Sequence, residues 1–251
     1  MRSWSRGGGS TRVLIPAILV VIFLGSCAPP NYEYVRNTSA RTAFKVPREW
    51  TLFDKATFLG TPPGPQANTP DPIQWLVAFD ANPTPAVENV LNNVDLATEY
   101  PQGIALVFNL SFENRDSINF QTLRNFLFPV DYFKSDDVQF LGYDDNVLLD
   151  DNQIRGVHMD FEFRQSALPG AEAALAAAQG QAGNAAPTSR AFPVGAGTSA
   201  FSEGFVRVNQ IAYLDAHTNR MYLFVAVCSA ECYQRSGSAI QTAVDSWTVL
   251  P

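Results

Sequence analysis

The chain has 251 residues, of which 46% are hydrophobic and 12% aromatic, and its formal net charge at pH 7 is −7. This hydrophobic content is sufficient for a packed core, so an intrinsically disordered chain is not the default expectation. A net negative charge is repelled by phosphate backbones, so nucleic-acid binding is not expected.

The first 26 residues have the layout of a secretory signal. Arg2, Arg6 and Arg12 give a basic start without any acidic residue, and an apolar run follows over residues 13–24. A transmembrane helix needs about 20 apolar residues, so this run is short for a membrane span. The order of a basic start and a short apolar run predicts a signal peptide over residues 1–26.

The end of this segment and the next residue, Leu24-Gly25-Ser26-Cys27, resemble the lipobox of bacterial lipoproteins. The resemblance implies that the Cys27 thiol is acylated with a diacylglycerol and that the chain is cut just before it. Two acyl chains anchor a protein stably. We therefore expect a protein that is lipid-anchored to the cell membrane on its extracytoplasmic side, with residues 27–41 as a polar tether. An uncleaved anchor and plain cleavage are the alternatives, and both also place the chain outside the cytoplasm.

Residues 42–80 predict three strands. The first two cover residues 42–54 and meet at a corner marked by Pro47. The third covers residues 72–80, where apolar side chains alternate along the chain and are expected on one face of a sheet. These alternating residues are Ile73, Trp75, Val77 and Phe79.

Residues 85–127 predict a helix, a strand and a second helix. Pro85 suits the first turn of the first helix, and Asp116 or Ser117 can cap the second. The apolar residues at helical spacing are Val87, Val90, Leu91 and Val94 in the first helix, and Phe120, Leu123 and Leu127 in the second. The strand covers residues 103–113. Its expected inward residues are Leu106, Phe108, Leu110 and Phe112.

Residues 138–164 predict two strands joined by turns, and the second strand has the clearest alternation in the chain. Its inward residues are Val157, Met159, Phe161 and Phe163. Its outward residues are His158, Asp160, Glu162 and Arg164. Such a polar row either lines a ligand groove or faces solvent.

The rest of the chain predicts an insertion, a hairpin and a terminal helix. Residues 167–200 are dominated by Ala, Gly, Pro, Ser and Gln, so we expect a long flexible insertion there. The hairpin strands cover residues 204–214 and 220–227. Ser236 or Ser238 can cap the terminal helix. The buried residues of this helix are expected to be Ile240, Val244 and Trp247.

This order of elements predicts one α+β domain over residues 42–251, with helices packed on an antiparallel sheet. Two short end motifs add a resemblance. Phe44, Pro47 and Trp50 near the start, and Ser246-Trp247 near the end, look like those of the PsbP-like group, which includes the Ran-binding Mog proteins. The resemblance implies an α/β/α sandwich. It also implies a binding or assembly factor with a protein partner, and no particular reaction.

Cys228 and Cys232 are predicted to form a disulfide, because paired cysteines outside the cytoplasm are more often bridged than free. On a regular helix, Cβ atoms four residues apart are about 5–6 Å from each other, which is too far for a disulfide. The bridge is therefore expected in a turn between a strand and a helix. The alternatives are a redox-active pair and a metal site. A metal site needs two further ligands, and the chain has only two histidines.

Asp144, Asp145, Asp150 and Asp151 form an acidic segment that is a weak candidate for Ca²⁺ binding, because calcium prefers oxygen ligands. Their spacing does not match a calcium hand, and aspartates are common in turns for conformational reasons. Turn formation is therefore the main expectation, and no other cofactor is predicted.

The sequence contains no evident catalytic constellation. It lacks a P-loop, a glycine-rich dinucleotide motif and a serine-nucleophile elbow. We therefore predict a binding or assembly module of the cell envelope. One alternative is an envelope protein that binds a divalent cation. Another is a carboxylate-based envelope hydrolase, which requires two of Asp144, Asp145, Asp160 and Glu162 to converge with raised pKa values.

Overall fold

The computed structural model describes residues 31–60, 71–91, 96–115, 118–128, 130–133, 135–149, 154–167, 204–215 and 219–250. Tyr32–Pro251 forms one compact unit. The predicted signal peptide, Cys27 and the predicted insertion apart from Ala167 lie outside the described residues. No helix in the described ranges is long and apolar enough to span a membrane.

The described residues contain ten strands and four α-helices. The strands are β1 Tyr32–Asn37, β2 Thr42–Pro47, β3 Thr51–Asp54, β4 Ile73–Asp80, β5 Gln102–Asn109, β6 Val138–Leu149, β7 Ile154–Arg164, β8 Phe205–Asp215, β9 Arg220–Ser229 and β10 Thr248–Val249. The helices are α1 Lys55–Leu59, α2 Phe112–Arg115, α3 Phe120–Arg124 and α4 Ala230–Ser246. Short 3₁₀ turns occur at Val87–Asn89, Val130–Tyr132 and Gln165–Ala167.

Seven strands form one antiparallel sheet in the order β3-β4-β5-β9-β8-β7-β6. The central strands β5 and β9 are buried on both faces, which explains their nearly continuous apolar sequences. Gly103 of β5 allows this strand to approach β4 and β9 closely. A Cβ atom at this position would lie 2.0 Å from the carbonyl oxygen of Val225 and 2.5 Å from the ring of Phe79.

One face of this sheet is covered by α4 and by a second antiparallel sheet in the order β1-β2-β10, which we call the small sheet. They meet in a cluster of four aromatic residues, the aromatic junction, formed by Phe44, Trp75, Phe224 and Trp247. The Phe44 ring lies edge-on to the other three, with centroids 5.4 Å from Phe224, 5.8 Å from Trp247 and 6.1 Å from Trp75. Edge-to-face geometry is the favoured arrangement of aromatic pairs.

The opposite face of the main sheet is covered by the short helices and turns between β4 and β6. Helix α3 buries Leu123 there. The buried side chain of Gln210 on β8 donates hydrogen bonds from Nε2 to the carbonyl oxygens of Leu123 and Arg124, at 3.2 Å and 3.3 Å. These carbonyls belong to the last turn of α3 and have no partner within the helix. Gln210 therefore attaches α3 to the sheet.

Several predictions from the sequence are confirmed. The domain is α+β, with an antiparallel sheet between two layers that contain helices, as a sandwich requires. The alternation of β7 is also as predicted, since Val157, Met159, Phe161 and Phe163 are fully buried. The 204–214 and 220–227 hairpin is present as β8 and β9.

The prediction of an irregular tether up to residue 41 is wrong from Tyr32 onward. Tyr32–Asn37 is strand β1, which pairs with β2 along its whole length. Its inward side contributes only Val35 to the core, as a partly buried residue. A strand with so little apolar alternation resembles a polar linker in sequence, because its pairing with β2 involves main-chain atoms.

The predicted helix that starts at Pro85 is wrong in the described residues, where only the turn Val87–Asn89 is helical. The buried carboxylate of Asp80 accepts hydrogen bonds from the Ala86 amide at 3.1 Å and from the Asn89 side chain at 2.7 Å. These bonds stabilise a turn instead. Leu91 has a φ of 51°, which no right-handed helix contains. Val94 lies outside the described residues.

The predicted strand over residues 103–113 ends early, at Asn109. Phe112 lies in α2 with 78% of its surface exposed, so it is not an inward residue. The next helix is capped by Asn119, whose side chain accepts from the Thr122 amide, and it ends at Arg124, before Leu127. Asp116 and Ser117, the predicted caps, lie outside the described residues.

Two further differences concern β4 and α4. A register shift between Ile73 and Trp75 places Ile73 on the opposite face from Trp75, Val77 and Phe79. Helix α4 begins at Ala230, two turns before the predicted start at Ser236 or Ser238. Its cap is Ser229, which accepts a hydrogen bond from the Cys232 amide at 3.0 Å.

The position of this cap can be tested by substitution. Ser229→Ala removes the acceptor for an orphan amide of α4 and should reduce the free energy of unfolding by about 1 kcal/mol. Ser238→Ala is the matched control, because Ser238 is an exposed residue within the helix, and it should change stability by less than about 0.5 kcal/mol. Urea denaturation followed by circular dichroism measures both. A larger effect at Ser238 would contradict the observed start of α4.

Candidate functional site

The outward row of β7 meets charged and polar residues of β8. Arg207 lies opposite Glu162 in the strand register and reaches diagonally to Asp160. Its Nε and Nη2 atoms bind the two carboxylate oxygens of Asp160 at 2.9 Å and 2.7 Å, a two-point pairing that fixes both groups. Glu162 lies 3.8 Å from the same guanidinium. One arginine therefore balances two carboxylates.

A second set of contacts joins this row to helix α4. The guanidinium carbon of Arg207 lies 4.0 Å from the ring centroid of Tyr233, within range of a cation–π interaction. The Tyr233 hydroxyl accepts a hydrogen bond from Nδ2 of Asn209 at 3.1 Å. The other side-chain atom of Asn209, Oδ1, lies 2.9 Å from Nε2 of His158. Because an amide oxygen only accepts, this contact is a hydrogen bond when the proton of His158 is on Nε2.

We call His158, Asp160, Glu162, Arg207, Asn209 and Tyr233 the polar cluster. Burial raises the pKa of Tyr233 to about 12, so this phenol is neutral at physiological pH. Hydrogen bonding to Asp160 raises the pKa of Arg207 above its usual value. The two carboxylates face a fixed positive charge. The hydrolase alternative requires the opposite, an apolar or like-charged setting that raises a carboxyl pKa.

The acidic residues proposed for calcium are only partly described. Asp144 is exposed on β6, opposite His158 in the register. Asp145 also lies in β6, but its side chain and residues 150–151 are outside the described part of the chain. No group of three or more His, Cys, Asp or Glu side chains in the described ranges is placed to hold a metal ion. The calcium interpretation stays a prediction.

Cys228 and Cys232 form a disulfide, as predicted. Cys228 is near the end of β9, and Cys232 is in the first turn of α4, so the bridge spans the expected junction of a strand and a helix. Its two Cα atoms are 5.9 Å apart, and both residues are fully buried. The bridge therefore belongs to the core beneath α4.

The sequence did not identify a group of exposed apolar residues on the outermost strand, β6. Phe140, Leu141 and Tyr143 have 47%, 42% and 44% of their surfaces exposed, and we call them the edge patch. The rings of Phe140 and Tyr143 lie 6.1 Å apart in an edge-to-face arrangement. Among the described residues, no strand pairs with the outer side of β6.

Helix α3 supports the edge patch from behind. Arg124 Nη1 donates a hydrogen bond to the Tyr143 hydroxyl at 2.8 Å. Arg124 is itself held by Asp131, through Nε–Oδ1 and Nη2–Oδ2 distances of 2.9 Å and 2.7 Å. Asn125 adds a third hydrogen bond to Asp131 at 2.8 Å. Tyr143 is thus an exposed ring with a restrained orientation.

The composition around β6 indicates an edge strand and could have pointed to the edge patch from the sequence. Residues 130–151 contain seven aspartates and one lysine, with aromatic residues between them. Charged residues that flank apolar ones are typical of edge strands, where they discourage unwanted pairing. Two register shifts in the β6–β7 ladder have the same effect, because bulges twist an edge.

No sequence profile of a known protein family and no curated protein matches the chain. Twelve chains of solved structures are similar to it, and two of them show the level of similarity. The solution structure of cyanobacterial PsbP (CyanoP) from Synechocystis sp. PCC 6803 is 12% identical, with 90% of this chain and 98% of that chain covered and a TM-score of 0.41. The crystal structure of the Saccharomyces cerevisiae Ran-binding protein Mog1p is 9% identical, with 88% and 96% covered and a TM-score of 0.41. Similarity at this level assigns no function to the chain.

The ion pair of Arg124 and Asp131 beside the edge patch leads to a prediction about pH. Hydrogen bonds from Arg124 hold the pKa of Asp131 below 3.8, its ordinary value. Because the pKa is lowered on folding, this stabilisation is present above the ordinary pKa and is lost as the pH falls through the lowered one. In an NMR titration of the carboxyl carbons, Asp131 should therefore have a midpoint below 3.8.

Arg124→Gln should shift this midpoint upward. Asp54 is the control, because the amide of Thr57, and no arginine, is the main cause that lowers its pKa. Its midpoint should be the same in both proteins. An unchanged Asp131 midpoint in the variant would show that Arg124 does not hold this carboxylate in solution.

Proposed function

We propose that this chain is a lipid-anchored cell-envelope protein, acylated at Cys27, whose folded domain binds a protein partner through the edge patch. The domain acts as a binding or assembly module with no catalysis of its own. The observation that carries this proposal is the exposed apolar group of Phe140, Leu141 and Tyr143 on an outer strand, where Arg124 fixes Tyr143.

The edge patch has the chemistry of a protein-binding surface. Tyrosine and arginine are enriched among the residues that contribute most to protein interfaces. Tyr143 is already oriented by Arg124 and Asp131, so little side-chain entropy is lost when a partner covers it. The outer side of β6, where no described strand pairs, also offers main-chain donors and acceptors to an extended segment. The surrounding aspartates favour a partner with basic residues around an apolar centre.

The polar cluster supports a binding role over a catalytic one. Asp160 and Glu162 are engaged by Arg207, and His158 is held by Asn209. These contacts connect β7, β8 and α4, and so keep this half of the sheet rigid behind β6.

The anchor is supported by the order of signals at the start of the chain. The chain starts with three arginines, continues with a run of 12 apolar residues and then has small residues before Cys27. This order of features is typical of an exported lipoprotein. The acyl chains would keep the domain at a membrane and so raise its effective concentration for a partner in the same envelope.

A photo-crosslinking residue in place of Phe140 tests the proposed function in native membranes. We expect one stoichiometric adduct with a membrane or envelope protein. The same residue in place of Phe112, a phenylalanine on α2 that is even more exposed than Phe140, is the matched control and should give no such adduct. Identical adducts from both positions, or none from Phe140, would contradict the proposal. Mass spectrometry of the same material should find a chain that begins at acylated Cys27.

A further inference from the structure

We propose that the outer face of the small sheet β1-β2-β10 lies against the phospholipid surface to which Cys27 is anchored. This inference rests on the proposed function, because it needs the acylated cysteine. It adds an orientation for the domain and a second, lipid-contacting surface, which is separate from the edge patch.

The first argument is the length of chain between the anchor and the fold. Strand β1 starts at Tyr32, so only residues 28–31 separate it from Cys27. An extended chain spans at most about 3.6 Å per residue, which limits the distance between the Cα atoms of Cys27 and Tyr32 to roughly 18 Å. Pro29 and Pro30 restrict this connection further. The start of β1 therefore stays within roughly 18 Å of the anchored residue.

The second argument is the chemistry of the face. The register places Tyr34 opposite Lys45 and Arg36 opposite Ala43, on the side of the sheet away from the buried Phe44. Tyr34 has 73% of its surface exposed, the most of any large hydrophobic residue described apart from Phe112. The Lys45 ammonium lies 5.1 Å from the ring centroid of Tyr32 on the same side. Tyrosines with neighbouring basic groups are typical of membrane–water interfaces.

The third argument is charge. Removal of residues 1–26 takes away three arginines and no acidic residue, so the net charge changes from −7 to −10. An anionic membrane repels such a domain and favours the orientation in which its basic face is nearest. In the small sheet, Arg36 and Lys45 are the basic residues, and the one acidic residue of its strands, Glu33, is opposite inward-facing Val46.

This orientation leaves the edge patch accessible. The small sheet packs through Phe44 on Trp75 of β4 and Phe224 of β9. Strand β6 is three strands beyond β9 in the main sheet, which corresponds to about 14 Å. A partner can therefore pair with β6 while the small sheet faces lipid.

The test uses the full acylated protein with Tyr34→Cys, reconstituted into vesicles of phosphatidylethanolamine and phosphatidylglycerol. Cys228 and Cys232 are joined and Cys27 is acylated in the proposed form, so a nitroxide attaches to the new thiol. Phe112→Cys is the matched control. We expect the label at position 34 to lose accessibility to a water-soluble relaxation agent and gain it to oxygen, with no change at position 112. Adding Arg36→Glu and Lys45→Glu should restore water accessibility at position 34 without releasing the protein.

The other outcomes separate a failure of this inference from a failure of the proposed anchor. A protein that floats with the vesicles but is equally accessible at both positions would overturn the inference and leave the anchor intact. A protein that does not float would overturn the anchor and, with it, the inference. A label at position 34 that is shielded in native membranes and accessible in vesicles would show that a protein partner covers this face, which also overturns it.

Discussion

The contact of Phe44 with Phe224 and Trp247 holds three separate parts of the chain together. Phe44 belongs to the small sheet, Phe224 to the centre of the main sheet, and Trp247 to the end of α4. Loss of a buried aromatic side chain costs about 3–5 kcal/mol, a large share of the roughly 5–15 kcal/mol that stabilises a typical domain. Phe44 and Trp247, two of the residues that carried the sequence resemblance, are therefore explained by packing, and the same packing sets where the small sheet lies.

The two sides of the β6–β8 region differ in how their polar groups are used. In the polar cluster, Arg207 is surrounded by groups of its own domain and contributes to rigidity. In the edge patch, Arg124 holds Tyr143 in place but leaves its ring exposed. The same pairing of arginine with aspartate thus has two uses. In the polar cluster it makes contacts within the domain, and in the edge patch it leaves an oriented ring available to a partner.

Sequence patterns predicted those elements whose side chains are sorted by burial. The alternation of β7 was sufficient because every second residue is buried, and the Cys228–Cys232 bridge followed from geometry and from the expected compartment. The predictions of a tether in place of β1 and of a helix that starts at Pro85 were wrong for physical reasons. Pairing of β1 uses main-chain atoms, and the turn at Val87–Asn89 is set by the distant carboxylate of Asp80. The edge patch was missed because exposure depends on which strand is outermost, and a sequence does not state strand order.

The strand order has a consequence for how the chain acquires its structure. Strand β2 pairs with β1 beside it in sequence and with β10, and the Thr42 hydroxyl donates to the carbonyl of Thr248, 206 residues away. Closing so long a loop is slow, because the entropy is lost before the contact forms. The hairpin of β1 and β2 therefore cannot complete the small sheet until β10 has been made. Synthesis of this late strand, and not of the early ones, sets the moment at which the small sheet can close.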